Sequence, residues 1–296
     1  MKFGISPLMR KGFSNPTWAR SFLRMVEAAG LESVWTVEHP IVAEDCEKLY
    51  SYSEDGTPPF HPDLEMCDPL EWLGFAAGVT ETLKLGTGVL LLPLHTPIIL
   101  AKRVATLDAL SGGRVLLGVG IGWQKEEYAA AGIPYGERGK RLDDGIDAVR
   151  ALWTQSPASH QGPFYQFHRV HSDPKPAQKG GVPILIGGST DVAARRAGRL
   201  GDGFYPHAIS PDDFARRIET MRQAAKDAGR DPDAIELTVS PSAWKFGATR
   251  DFHIVKAYAD LGVSRILMMA DEALSTDVTE IERYIKTCQD DVISRL

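Results

Sequence analysis

Residues 84–120 read KLGTGVLLLPLHTPIILAKRVATLDALSGGRVLLGVG and predict a strand, a helix and a second strand. Residues 85–92 form a nearly unbroken apolar run with β-branched members, as a strand covered on both faces requires. Thr96 is a candidate N-cap, Pro97 fits the first helical position, and Gly112 is expected to stop the helix. Since parallel strands need a crossover connection of this kind, the segment predicts one repeating unit of a parallel sheet.

Segments of the same two kinds alternate along the whole chain of 296 residues. We expect eight strands, near 2–7, 33–37, 84–92, 114–119, 182–187, 203–206, 235–240 and 264–269. We expect eight helices, near 17–29, 68–82, 97–111, 138–154, 190–200, 211–228, 251–261 and 276–293. This alternation indicates an α/β fold of the (β/α)8 TIM barrel type, whose ligand site lies at the carboxyl ends of the strands. The length is compatible with one domain spanning residues 1–296.

Two connections are longer than a turn requires. Residues 38–67 follow the second strand and carry several prolines, whereas residues 155–181 precede the fifth strand and include a possible hairpin around 162–170. Long loops in compact domains are often functional lids or interaction surfaces. Because the first insertion lies on the ligand-facing edge, we expect it to cover a substrate. The alternative is an inert surface insertion.

The composition narrows the classes of partner. A formal net charge of −6 and a pI near 5.8 give no general attraction to nucleic acid or acidic membranes. The sequence has no run of about 20 apolar residues and begins on a strand-like segment without a signal-peptide pattern, so we expect a cytoplasmic protein. Its three cysteines, Cys46, Cys67 and Cys288, lack the spacing of a disulfide framework or a zinc site.

An acid and an imidazole follow the second predicted strand. Glu38 and His39 stand at the rim of the barrel, where a histidine can donate a hydrogen bond or move a proton near neutral pH. A Glu-His pair taken alone favours a structural or merely exposed histidine. The position at a strand end narrows that preference and makes both residues catalytic candidates, because this is the edge on which barrels of this type hold their active sites.

Glycines mark two other strand ends. Gly120 follows the fourth strand and leaves room for a ligand to approach the backbone. Gly187, Gly188 and Ser189 follow the fifth strand and lead into a helix. Free backbone N–H groups and the positive end of that helix make a candidate phosphate cradle, with an ordinary strand-to-helix turn as the alternative.

Several of these segments together resemble one family. They read, in chain order, LGTGVLLLPLHTP, LSGGR, LGVGIGWQKEEY followed by AAGIPYGERGKRLDDGIDAVRALW, and PILIGGS followed by RAGRLGDGF. In these motifs the chain resembles the bacterial luciferase-like superfamily over residues 1 to about 206. Within that superfamily it is most similar to the branch that uses the deazaflavin coenzyme F420 in place of FMN.

The resemblance implies roles for particular residues. His39 matches a histidine beside the reactive edge of the cofactor ring, and Glu38 occupies the acidic position next to it. Gly88–Val89 matches a non-prolyl cis peptide in the third strand that supports the ring. Residues 187–189 match the phosphate-binding turn, in agreement with the cradle expected from the glycines.

The chain also departs from the pattern of the related alcohol and sugar-phosphate dehydrogenases. Those enzymes have a tryptophan four residues after the histidine and a glutamate after the fourth strand, whereas this chain has Ala43 and Trp123. An enzyme without that acid and that tryptophan is poorly equipped to take a proton from an alcohol, so oxidation of a sugar phosphate is disfavoured. Trp123 is expected to stack on the ring or to wall the substrate pocket, with a core aromatic as the alternative. Glu126, Glu127 and Tyr128 lie on the same segment and are candidates to contact the cofactor or a neighbouring subunit.

We therefore predict an oxidoreductase that transfers a hydride between reduced F420 and a small organic substrate, acting as a homodimer. The nearest alternative keeps the fold and uses reduced FMN and oxygen as a monooxygenase. A flavin-binding protein without turnover is the alternative from another class. A metal-dependent hydrolase is disfavoured, because the first strand lacks an HxH motif and the histidines are scattered.

Overall fold

In the computed structural model, which describes residues 1–7, 9–50, 53, 55–58 and 64–296, eight parallel strands close into a barrel. In barrel order they are β1 (Lys2–Ser6), β2 (Ser33–Thr36), β3 (Lys84–Thr87), β4 (Val115–Val119), β7 (Ile184–Gly187), β8 (Gly203–Tyr205), β9 (Glu236–Val239) and β10 (Arg265–Met269). β10 pairs with β1 and closes the ring. Three strands separate β2 from β8 in either direction, so these two strands stand opposite each other. The predicted TIM barrel is confirmed.

Helices surround the barrel. The described residues form α1 (Pro16–Ala28), α2 (Pro69–Val79), α3 (Pro97–Leu110), α4 (Lys125–Ala130), α5 (Arg138–Thr154), α6 (Asp191–Leu200), α7 (Pro211–Asp227), α8 (Pro241–Trp244), α9 (Phe252–Asp260) and α10 (Val278–Asp291). Asn15, Asp68 and Ser210 begin α1, α2 and α7 with side-chain caps. Thr96 does stand at the N-cap of α3, but its side chain accepts no capping bond. In the part of the chain with described coordinates, no helix is long and apolar enough to cross a membrane.

The barrel interior is filled by side chains. A buried cluster inside the strands is formed by Trp35, Leu116, Leu185, Tyr205 and Leu267, with Val89 packed against it at the carboxyl end. A larger apolar core lies between the strands and the surrounding helices. The interior is therefore a packed layer rather than a channel, and any ligand has to bind above it.

The third strand is shorter than its sequence predicts. The apolar run indicated a strand over 84–92, but β3 ends at Thr87, and residues 92–94 form a 3-10 turn. Beyond Thr87 the pairing with β4 continues as an isolated bridge between Leu90 and Val119. In this segment the amide of Leu91 donates to the buried carboxylate of Glu38 at 2.6 Å rather than to a neighbouring strand. An apolar pattern does not report such a long-range bond.

The two insertions differ in form. The expected hairpin consists of β5 (Ala158–Gln161) and β6 (Gln166–Val170), which pair antiparallel between α5 and β7. Asp144 on α5 holds its turn by accepting from the amides of Phe164 and Tyr165. In the insertion over 38–67, residues 51, 52, 54 and 59–63 lie outside the described residues, and the substrate cover assigned to it stays a prediction.

Candidate active site

A histidine and a buried carboxylate meet at the mouth of the barrel. His39 follows β2, and its Nδ1 lies 3.0 Å from Oε1 of Glu127 on α4. The Glu127 side chain is buried, and its second oxygen has no hydrogen-bond partner within the described part of the chain. A carboxylate that accepts from one imidazole nitrogen fixes the tautomer and the orientation of the ring. The contact with Glu127 therefore holds the other ring nitrogen of His39, Nε2, in a defined position.

Trp123 forms a wall beside this pair. Its ring centroid lies 5.8 Å from that of His39 and 5.5 Å from that of Tyr50, with edge-to-face geometry in both contacts. The hydroxyl of Tyr135 donates to the Trp123 carbonyl at 2.8 Å and fixes the backbone. Trp123 thus lines the mouth and is not enclosed in the core.

Glu38 faces away from this mouth. Its Oε1 accepts from Nε2 of His95 at 2.8 Å and its Oε2 from the Leu91 amide at 2.6 Å, while its own amide donates to the Val89 carbonyl at 3.2 Å. Successive residues of an extended chain point to opposite sides, which explains why Glu38 enters the wall when His39 enters the mouth. Both carboxylate oxygens of Glu38 thus hold the segment that follows β3.

Gly88 and Val89, which follow β3, form a shelf between two other glycines, Gly120 and Gly187. The peptide bond between Gly88 and Val89 is cis, as the family resemblance implies. A Cβ added at Gly120 would lie 2.6 Å from one methyl carbon of Val89, and a Cβ added at Gly187 would lie 2.6 Å from the other. Gly88 itself lies over Tyr205, with only 3.0 Å between an added Cβ and that ring. The Val89 side chain can occupy this place only because Gly120 and Gly187 lack side chains.

The candidate phosphate cradle lies at the start of α6. Gly188 has a φ of +110°, and Thr190 caps the helix by accepting from the Ala193 amide. The hydroxyl of Ser189 donates to the His207 carbonyl. Nε of Arg217 donates to the Ser189 carbonyl at 2.8 Å, so a guanidinium stands beside the turn. The loop is thus held from two sides, with its glycine in a conformation that other residues rarely adopt.

The acidic residue at the start of α6 moderates the charge of this cradle. Asp191 pairs with Nη1 of Arg217 at 2.7 Å. A carboxylate in the first turn already compensates the positive end of the helix dipole. An anion bound here would therefore depend on backbone N–H groups more than on a free cationic side chain.

Sequence reasoning did not place Tyr50 and His207 in the site. Nε2 of His207, which follows β8, lies 3.4 Å from the hydroxyl of Tyr50. Burial lowers the pKa of His207 to about 4, so its imidazole is neutral at pH 7. The strand-end rule that selected His39 applies equally to His207. Nothing local in the sequence indicates that Tyr50 reaches the same place.

The predicted residues gather at one end of the barrel. His39 and Trp123 are in contact, Gly88, Val89, Gly120 and Gly187 form one packed group, and Ser189 bonds the His207 backbone. Glu38 supports the shelf from the wall. The glycine-lined shelf and the Glu127 oxygen that lacks a partner among the described residues fit a planar heteroaromatic ring with a polar edge.

Comparisons with known proteins identify the family of the chain. The family model described as luciferase-like monooxygenase matches residues 1–244. An uncharacterized protein of Mycobacterium tuberculosis (strain ATCC 25618 / H37Rv) is 33% identical over 266 residues, which cover 88% of this chain and 90% of the relative. FMNH(2)-dependent dimethylsulfone monooxygenase of Pseudomonas putida is 34% identical over 153 residues, which cover 51% of this chain and 42% of that protein.

A solved structure shows the same fold. Coenzyme F420 dependent tetrahydromethanopterin reductase from Methanopyrus kandleri has a TM-score of 0.75 at 17% identity, with 99% of both chains covered. At this identity the likeness concerns the fold. The family match, in contrast, extends over most of the sequence. The chain therefore belongs to the luciferase-like monooxygenase family and is an oxidoreductase.

Proposed function

We propose that the protein transfers a hydride between reduced F420 and a small organic substrate. The observation that carries this proposal is the His39–Glu127 pair, which faces a mouth bounded by Trp123 and by the glycine-lined shelf. The sequence resemblance to the deazaflavin branch supports the choice of cofactor. The F420-dependent reductase of Methanopyrus kandleri supports it only through its fold.

In this proposal the ring lies on the shelf made by Gly88 and Val89. Gly120 and Gly187 keep the shelf in place, and the turn over 187–189 holds the phosphate through its amides. A reduced deazaflavin supplies the hydride, and the protein supplies position and electrostatics. Trp123 walls the pocket in which the substrate binds.

His39 and Glu127 act as the proton-handling pair. The absence of a glutamate at position 123 argued against an acid near the histidine, but the structure supplies one from α4, four residues later in the chain. The carboxylate orients the imidazole, which donates to or protonates the substrate. The expectation that oxidation of a sugar phosphate is disfavoured rested in part on the missing acid, and in this proposal Glu127 supplies an acid.

Glu38, predicted as catalytic with His39, is instead assigned a positioning role in this proposal. Its Oε1 accepts from His95 and its Oε2 accepts from the Leu91 amide, and its side chain is buried in the wall. It acts on the ring through the shelf. His39 is then the only member of the adjacent pair that reaches the substrate.

Anaerobic reconstitution tests the cofactor. The protein is titrated with F420 and with FMN, and binding is followed by quenching of tryptophan fluorescence. We expect tight binding of F420, because the shelf and the cradle are complementary to its ring and phosphate. Tight binding of FMN with no response to F420 would overturn this choice.

A turnover assay tests the pair. The oxidation of bound, reduced cofactor is measured as candidate electron acceptors are added. We expect His39→Ala and Glu127→Gln to slow it by roughly 10²- to 10⁴-fold, the usual contribution of a positioned proton donor. His253→Ala, at an exposed histidine on α9, is the matched control and should have no effect. Unchanged turnover in His39→Ala would contradict the assignment.

The FMN alternative changes the reaction class. The relative from Pseudomonas putida is named for FMNH2, and a deazaflavin lacks the ring nitrogen that lets reduced flavin react readily with oxygen. Oxygen consumption by the protein loaded with reduced FMN, with an oxygenated product, would establish a monooxygenase. Binding of either cofactor without acceleration by any acceptor would instead favour a flavin-binding protein without turnover.

We further propose that α2 forms part of a homodimer interface. The helix has a single charged residue, Glu71, and a helix that is apolar all round is usually buried. Gly74 and Gly78 are exposed, and a Cβ added at either would meet no atom within 4 Å. We expect a dimer by light scattering and a monomer for Gly78→Arg. A wild-type monomer would refute this interface.

A further inference from the structure

A described segment after β2 crosses the barrel mouth. Residues 41–50, hereafter the strap, start beside β2 and end at Tyr50, whose hydroxyl lies 3.4 Å from Nε2 of His207. His207 follows β8, and β2 and β8 stand opposite each other in the eight-stranded barrel. A chain that begins at one of these strands and contacts the end of the other has to span the mouth of the barrel from one side to the other.

The strap is fastened along the way by residues that follow β4. The side chain of Gln124, which is fully buried, donates to the Ile41 carbonyl at 3.1 Å and accepts from the Ala43 amide at 3.3 Å. This amide clamp satisfies one acceptor and one donor of the strap backbone. The first half of the strap is therefore fixed to the wall that also carries Trp123.

The acidic middle of the strap is held by the next two residues. Glu126 accepts from the Glu47 amide at 3.0 Å, and Nζ of Lys125 lies 2.6 Å from the Glu47 carboxylate. The lysine pair is exposed and contributes little, but the bond to the Glu47 amide fixes the backbone. Three consecutive side chains thus bind the strap before it reaches Tyr50.

Tyr50 is placed above the site by these anchors. Its ring packs edge-to-face on Trp123 at 5.5 Å, and its backbone amide donates to the Gly56 carbonyl at 3.0 Å. The same Trp123 ring also contacts His39. The aromatic side chain thus closes the space between the β4 side and the β8 side of the mouth.

We propose that the strap is a fixed roof over the ring site and that Tyr50 is a further binding residue, which contacts a planar heteroaromatic ligand from the side opposite the shelf. This inference rests on the proposed function for the identity of the ligand. The roof itself rests on the contacts of the strap. The hydroxyl of Tyr50, which lies 3.4 Å from the neutral imidazole of His207, makes this part of the roof polar.

The rate at which the ligand dissociates tests the contact between Tyr50 and the ligand. Wild type and variants are loaded anaerobically with F420 and, separately, with FMN, and dissociation is followed by stopped-flow fluorescence after dilution. We expect Tyr50→Ala to speed release about tenfold, the equivalent of one aromatic contact. Tyr50→Phe keeps the ring and should speed it about two- to threefold. Tyr165→Phe, the same change on the hairpin turn beside Arg141, should leave the rate unchanged.

An unchanged release rate in a Tyr50→Ala protein that keeps the wild-type melting temperature would overturn the binding role. A wild-type protein that binds neither F420 nor FMN would overturn the proposed function. In that case the fixed position of the strap is still tested by a measurement that needs no ligand.

Hydrogen exchange of the ligand-free protein supplies this measurement. The amides of Ala43 and Glu47 are bonded by the side chains of Gln124 and Glu126, so we expect them to exchange at least about tenfold more slowly than amides of an unstructured peptide. Gln124→Ala should remove the protection at Ala43 and leave that of the barrel strands intact. Exchange of the wild-type strap at unprotected rates would refute a fixed roof.

Discussion

The contact between Val89 and the two glycines beside it gives a sharp test of the shelf. In Gly120→Ala the new Cβ would lie 2.6 Å from a Val89 methyl carbon, whereas ordinary contacts between carbon atoms begin at about 3.5 Å. The valine has to move by nearly 1 Å, in a place already bounded by Gly187 on its other side. Overpacking of this kind costs about 1–3 kcal/mol.

A second substitution removes the collision. Val89→Ala deletes two methyl groups from a half-buried side chain and by itself costs roughly 1–2 kcal/mol, at about 0.8 kcal/mol for each group. In the double variant the alanine at position 120 has space, so the two costs should not add. We expect a favourable interaction energy of roughly 1–2 kcal/mol in the double-mutant cycle.

The free energy of unfolding in urea, measured for wild type, both single variants and the double variant, provides the cycle. Gly136→Ala serves as the control, because an added Cβ there meets no atom within 4 Å and should change stability by less than about 0.5 kcal/mol. If the effects of Gly120→Ala and Val89→Ala add within about 0.5 kcal/mol, the two residues are not in contact and the shelf is wrongly described.

Three further outcomes are expected from urea unfolding. Burial lowers the pKa of His207 to about 4, so below pH 6.5 the unfolded chain binds a proton that the folded protein does not bind. The free energy of unfolding should therefore fall by up to about 3 kcal/mol from pH 6.5 to 4. His207→Gln should flatten this pH dependence. Gly188→Ala should cost about 1–3 kcal/mol because φ is +110°, and a smaller loss would argue for a different turn. Arg265→Met should cost about 3–5 kcal/mol, because it leaves Glu32 half-buried without its 2.9 Å partner; a neutral effect would show that the pair is dispensable.

The barrel could be predicted from the sequence because each strand is a local apolar run. β8 was expected over 203–206 and is found at Gly203–Tyr205, and the helix after it was expected over 211–228 and is found at Pro211–Asp227. The short helices α4 and α8 were missed, since six and four residues are too few to show a helical repeat.

The site could be predicted only in part. Strand ends and glycines have local signatures, which is why His39 and the shelf glycines were found. The bond between His39 and Glu127 joins residues 88 positions apart, and the contact between Tyr50 and His207 joins residues 157 apart. Partners that distant depend on how the loops cross the barrel, which periodicity does not encode.

The burial of a charged side chain could not be predicted either, because its partners are also distant in the sequence. Arg114 was expected to open an apolar strand, yet its guanidinium is buried and donates to the carbonyls of Ala77 and Leu83 and to the hydroxyl of Thr80. These groups surround the end of α2, where carbonyls lack helical partners. A single arginine therefore joins α2 to the turn before β4. The two glycines that precede it, Gly112 and Gly113, explain only the turn of the backbone.

The adjacent residues 38 and 39 show how one short motif serves two purposes. Glu38 points into the wall and accepts from His95, whereas His39 points into the mouth and bonds Glu127, so the two histidine–carboxylate pairs run in opposite directions from neighbouring positions. The alternation of an extended chain enforces this division. The acid holds the segment after β3, the imidazole meets Glu127 at the mouth, and a shift of one residue in the end of β2 would exchange the two and break both contacts.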